Sequence, residues 1–286
     1  MSEPRILRAG PLQVSYQNGE LRDLRLGQTE VLRRVYGAVR DRDWGTVAAH
    51  ISEEQIADNG DYFRVEFAAR HRQNEIEFDW RGVIVGERDG TVSFEFDGRA
   101  LRDFWRNRIG LCVLHPPDCA GVAARTHAEG ARQSTRFPLH IAPHCPFENL
   151  SALSYQLAPD LWARVEFEGE VFETEDQRNW TDASFKTYGT PLALPFPVQV
   201  AAGARVAQRV TLRFEGALPP FAAFRPNARV TVARGAARRW ELCRRSASVF
   251  RPHPNRSTRK YSPACALLRP RICASRWIWR AISRPI

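Results

Sequence analysis

The densest run of chemically capable side chains lies at residues 172–188, FETEDQRNWTDASFKTY. It holds the carboxylates Glu175, Asp176 and Asp182, the cations Arg178 and Lys186, the amide Asn179 and the indole Trp180. Polar groups are costly to bury without partners, so such a run is either solvated or an internally satisfied network. The rings of Trp180, Phe185 and Tyr188 argue against simple solvation. An indole that can cover apolar sugar C–H faces, beside groups that hydrogen-bond hydroxyls, is chemistry suited to a carbohydrate. The alternative is an ordered polar corner that closes a β-sandwich by satisfying its own backbone.

Two further places carry candidate chemistry. His115 ends the apolar run at 109–114, where a buried scaffold strand hands over to Pro116 and Pro117. Strand ends of this kind are where sites are built, although a lone histidine is more often a hydrogen-bonded structural group. The RDRDWGT patch at 40–46 carries Trp44 among four charges, which suit pairing with each other at a strand end as well as touching a ligand; with backbone needs added, the structural reading is preferred. His140, His144 and Cys145 have no fourth ligand at suitable spacing, and Pro143 blocks a helical i, i+4 pair. No metal site and no cofactor is predicted, and there is no phosphate-cradling glycine loop.

The elements that must position these residues read as strands. Asn18-Gly19 between two short alternating runs is a hairpin signal. Residues 28–39 fit either a helical turn or a strand, and 51–61 read as a polar break ending at Asn59-Gly60. Period-two alternation then runs through 62–68, 75–85 and 91–98, with a turn at Gly90. Ile76, Phe78 and Trp80 are predicted to share a buried face with Val92, Phe94 and Phe96, leaving an acidic outer face. The continuous run at 109–114 predicts a central strand buried on both sides. Residues 118–150 read as loop, 162–172 and 206–214 as strands, and 231–233 as one more. The fold class is all-β, an antiparallel β-sandwich, with a galactose-mutarotase-like super-sandwich as its variant.

Charge divides the chain. Residues 238–286 hold twelve Arg and one Lys against Glu241 alone, a net +12. Since the whole chain carries +10, residues 1–237 carry −2. The basic tail, rich in Arg, Pro, Ser and Cys without periodicity, has the composition of a GC-rich gene read out of frame. A genuine basic arm that binds an anionic polymer or surface is the alternative. The expected division is a β-sandwich domain over 1–235 and an unstructured tail over 236–286. The six cysteines form no C-x-x-C pair, and the start is polar, so a cytoplasmic, reduced protein is expected. No run approaches the roughly 20 apolar residues of a membrane-spanning helix.

The order VRDRDWGT at 39–46, RNRIGLCVLHP at 106–116 and EDQRNWTDASFKTY at 175–188 resembles the amino-terminal region of bacterial D-apionate lactonases. The resemblance spans about residues 6–235 and the tail shows none of it. It implies a sugar-acid enzyme, a carboxylic ester hydrolase that opens D-apionolactone to D-apionate. It also implies a chain in which a β-sandwich precedes a TIM barrel and a further β domain. Catalytic carboxylates at barrel strand ends would then lie downstream, so no catalytic residue is carried over and the chain alone is expected to be an incomplete enzyme. The expected partners are a small sugar lactone or sugar acid and the barrel itself.

Three roles follow. A sandwich could line a site that the barrel completes, with His115, Glu175, Asp176, Arg178, Asn179, Trp180, Asp182 and Lys186 as ligand-binding candidates. It could act alone as a carbohydrate-binding or mutarotase-like domain, with His115 paired to Glu175 or Asp176 across one cleft. Or it could be a docking module, which an exposed apolar patch around Trp180, Leu192, Leu194 and Phe196 would favour. Nucleic-acid binding by the tail is the least favoured role.

Overall fold

A computed structural model describes residues 3–128, 130–182 and 184–218. The strand suggested at 231–233 and the basic tail lie outside the described residues. The described chain forms β1 (Arg5–Ala9), β2 (Leu12–Gln17), β3 (Glu20–Leu26), β4 (Thr29–Asp41), β5 (Ala49–Asp58) and β6 (Phe63–Gln73). Next come β7 (Ile76–Gly86), β8 (Val92–Ala100), β9 (Phe104–His115), β10 (Ala123–Ala128), β11 (Ala131–Arg136) and β12 (Phe147–Leu150). The series closes with β13 (Ala152–Ala158), β14 (Leu161–Glu168), β15 (Phe172–Asp176), β16 (Phe185–Gly189), β17 (Val198–Val200) and β18 (Arg205–Gly216). Every pairing is antiparallel. Among the described residues, no helix is long and apolar enough to cross a membrane.

Two nine-stranded sheets make an antiparallel β-sandwich. The first runs β1-β2-β3-β4-β9-β16-β15-β12, with β17 also on β9; the second runs β11-β10-β13-β14-β18-β8-β7-β6-β5. The predicted shared face holds: Ile76, Phe78, Trp80, Val92, Phe94 and Phe96 are all buried. Burying each such ring contributes roughly 2–3 kcal/mol. Trp80 stacks on Phe96 at 4.4 Å and meets Phe67 edge-on at 5.2 Å. Its indole reaches the first sheet at Gly37, where a Cβ would lie 2.7 Å from the ring. The indole N–H donates to His71 Nε2 at 3.0 Å, which leaves His71 Nδ1 to donate to the Val47 carbonyl at 2.9 Å.

Polar bridges also join the layers. Tyr155 donates to the Val31 carbonyl at 2.7 Å, from β13 to β4. Gln208 of β18 accepts the Leu111 N–H at 2.7 Å and donates to Glu170 at 2.7 Å. On the outer face of the second sheet, Glu95 and Asp97 pair with Arg209 and Arg205 as solvated surface charges.

The hairpin at Asn18-Gly19 forms with both residues at positive φ, and 109–113 is buried throughout. One open alternative is settled and two sequence expectations change. Residues 28–39 resolve as strand β4. The stretch read as a polar break is edge strand β5, whose alternation is masked by a bulge between Ser52 and Gln55 with Glu53 at φ 54°. The stretch read as loop contains the hairpin β10–β11, turning at Gly130, whose largely solvated Arg, Gln, Ser and Thr residues give no apolar signal.

Candidate functional site

Four adjacent strands of the first sheet, β4, β9, β16 and β15, build a cavity of about 490 Å³ on the face turned away from the core. Register brings its floor together: Ala38 lies opposite Gly110, Arg40 opposite Arg108, Tyr188 opposite Cys112, and Glu175 opposite Lys186. Alternation sends Val39, Ile109, Leu111 and Val113 of the same strands into the core. Trp44, from the turn after β4, Trp180, from a single 3-10 turn at Gln177–Trp180, and Leu192, after β16, form the rim. Trp180 is 69% exposed.

The charges of this cavity are unevenly partnered. Arg108 is buried beneath Trp44 and Phe196, its guanidinium carbon 5.4 and 5.2 Å from the two ring centres. It donates to the carbonyls of Asn107 and Pro191, at 2.7 and 3.0 Å, and its Nε has no partner. Burial lowers its pKa from the usual guanidinium value. Arg40 donates to the Trp44 carbonyl and the Thr46 hydroxyl. Lys186 lies 5.0 Å from the Tyr188 ring centre. Among the described residues, no carboxylate pairs with Arg40, Arg108 or Lys186, and Glu175 has no ion pair. Glu173, by contrast, accepts from the Tyr188 hydroxyl at 2.8 Å and the Leu192 N–H at 2.7 Å, and so holds the rim loop to the floor.

The structure divides the sequence-derived candidates. Glu175, Trp180 and Lys186 line the cavity. Asp176 and Arg178 do not. Asp176 points inward and accepts from Arg178 Nε at 2.9 Å, Arg178 Nη2 at 2.8 Å and the Ala142 N–H at 2.9 Å. Arg178 in turn donates to the carbonyls of Pro138, Leu139 and His140. Burial pushes the Asp176 carboxyl up, but the guanidinium and the backbone N–H groups outweigh it and hold the group below its usual range. This pair is the self-satisfied corner, tying the 3-10 turn to the loop after β11. Asp182 accepts from Ser184 at 3.0 Å, and Asn179 is exposed on the turn beside Trp180.

His115 lies on the opposite face of its strand from the cavity. It is buried between Phe137 and Tyr155, ring centres 5.7 and 5.5 Å away, with Nε2 2.8 Å from Thr187 Oγ1 and Nδ1 unpartnered. Burial lowers its pKa to about 3. The expected His115 and Glu175 pair therefore stands on two faces of one sheet, while Asp176, on the inner face, is committed to Arg178. Neither combination converges on the cavity.

Arg40, Trp44, Arg108, Cys112 and Tyr188 were not among the sequence candidates and line the cavity. The signal for Arg40 and Trp44 was the 40–46 patch, where a structural role, charge pairing together with backbone needs, was preferred over ligand contact. The backbone part of that reading is what the structure shows, since Asp41 accepts the N–H groups of Asp43 and Gly45. Arg108 gave a fainter signal, a guanidinium at the mouth of a continuous apolar strand.

Fold and site together define an all-antiparallel β-sandwich domain with a ligand-sized, cation-rich hollow on one sheet. Residues 1–217 match the model of the family described as D-apionate lactonase, N-terminal domain, and the chain belongs to that family. A D-apionate lactonase of Brucella anthropi is 37% identical over 214 residues, covering 74% of this chain. The chain spans only 35% of that relative's length. Among solved structures, the Slr1438 protein of Synechocystis sp. PCC 6803 aligns with a TM-score of 0.49 at 10% identity, covering 76% of this chain and 97% of that one. The GalM/aldose epimerase homologue of C. elegans aligns with a TM-score of 0.47 at 8% identity, covering 75% and 99%.

Proposed function

We propose that this chain is the amino-terminal part of a sugar-acid lactone hydrolase of the D-apionolactone-to-D-apionate type, and that the cavity of the first sheet is the surface it offers to the sugar. The observation that carries this reading is the cavity itself: an unpaired carboxylate and ammonium, Glu175 and Lys186, on its floor, under the exposed ring of Trp180. Rings cover sugar C–H faces and the charged groups bond hydroxyls. Lactone opening further needs an activated water, a base and donors for the developing oxyanion. Glu175 is the one carboxylate among the lining residues and no histidine joins it. The hydrolytic groups are therefore assigned to a downstream barrel, and the chain alone binds without turning over.

Calorimetric titration with D-apionolactone and D-apionate tests this. Trp180→Ala is expected to weaken binding about tenfold, a loss of roughly 1.4 kcal/mol, with no change in melting temperature. Lactone consumption in the presence of the chain should equal the spontaneous rate. Unchanged affinity in the variant would move the sugar to another surface, and catalysis by the chain alone would overturn the division of labour.

A second reading has its own support. Leu194 and Phe196 are exposed on the stretch that follows the rim residue Leu192, and Phe196 meets the rim residue Trp44 edge-on at 5.2 Å, which suits a face that another domain covers. The two readings are compatible if the covering domain closes the same cavity.

A further inference from the structure

We infer that the cavity takes a polyhydroxy carboxylate, with Arg108 and Lys186 receiving the carboxylate group and Glu175 receiving hydroxyls. The inference rests on the sugar-facing reading and adds a charge requirement to it. Three cations, Arg40, Arg108 and Lys186, face one lining carboxylate. The surface arginines on the other sheet, such as Arg205, Arg209 and Arg213, each have an acidic partner; the three in the cavity have none within ion-pair distance among the described residues.

Arg108 makes the argument sharp. It is only 5% exposed, and its Nε is buried without a partner. A guanidinium withdrawn from water without a counter-ion is costly, and the cost is relieved when an anion enters beside it. The carboxylates in the neighbourhood are committed elsewhere: Glu173 to Tyr188 and Leu192, Glu170 to Thr190 and Gln208. Both already satisfy neutral donors, so neither neutralises Arg108 by direct contact. A planar carboxylate matches the forked guanidinium, while Lys186 adds a point charge. Glu175 opposes the binding of a simple anion and fits a ligand that also carries hydroxyl donors. The favoured ligand is thus the open-chain sugar acid rather than a neutral ring.

The experiment compares D-apionate, its neutral carboxamide and D-apionolactone as calorimetric ligands of the full chain. The acid is expected to bind about tenfold more tightly than the carboxamide, and its affinity should fall as salt is raised while that of the carboxamide holds. Lys186→Met should remove about tenfold from the acid alone, and Lys186→Arg should retain the affinity. Arg40→Met provides a second charge deletion should Lys186→Met fail to fold. If the lactone or carboxamide binds as tightly as the acid, the charge requirement is wrong and the sugar-facing reading survives. If none of the three binds, both fall.

Discussion

His115 offers a direct test of whether the strand-end histidine belongs to the core or to chemistry. Its pKa is lowered to about 3 by burial, whereas the unfolded chain titrates near 6.5. The folded state thus binds the proton more weakly. Stability from this group is present in full above the unfolded value and is lost as pH falls from about 6.5 toward about 3. The slope inside that window is about 1.4 kcal/mol per pH unit, so a shift from pH 7 to pH 5 removes about 2 kcal/mol. His71, also lowered by burial, works in the same direction. Unperturbed carboxylates titrate mostly below pH 5, outside the interval compared. Urea unfolding of the chain and of His115→Leu at both pH values separates the His115 share. The variant should start about 1 kcal/mol less stable at pH 7, having lost the Thr187 contact, and the gap should close or reverse by pH 5. Parallel losses in the two proteins would mean that His115 is hydrated and protonatable, and the core assignment would be wrong.

Two further perturbations probe how the cavity is held. Gly110→Ala places a Cβ 2.2 Å from Gln208 Oε1 at a φ of 143°, so thermal melting should show a loss of about 2–3 kcal/mol or more; a neutral result would mean that the β9 backbone relaxes freely there. Asp176→Asn leaves the Arg178 guanidinium without its charge partner and should cost about 3 kcal/mol. In the parent, the Asp176 contribution is present above the unfolded carboxyl pKa and lost as pH falls through the lowered folded value. Acid melts of parent and variant should therefore converge at low pH, and a constant offset would refute the pairing argument.

Local pattern carried much of the architecture. Alternation predicted the β7–β8 face, Asn-Gly predicted the β2–β3 hairpin, and an unbroken apolar run marked β9 as central, because burial on one or two faces is written directly into residue period. The edge strand β5 and the hairpin β10–β11 escaped because edge and solvated strands impose little apolar selection, and a bulge resets the alternation. The FETEDQRNWTDASFKTY stretch was recognisable as unusual, and through it, with its two companion motifs, the family. Its division into binding and structural members was not. Within two residues the chain turns Glu175 to the cavity and Asp176 to Arg178, and only strand register and the 3-10 turn decide which side each takes. The same holds for His115, which differs from Arg108 by an odd number of positions along β9 and therefore faces the core. Composition showed that charges were present. Which cations end without a counter-ion is a property of contacts between strands far apart in sequence, and the fold alone placed Arg40, Arg108 and Lys186 around one hollow.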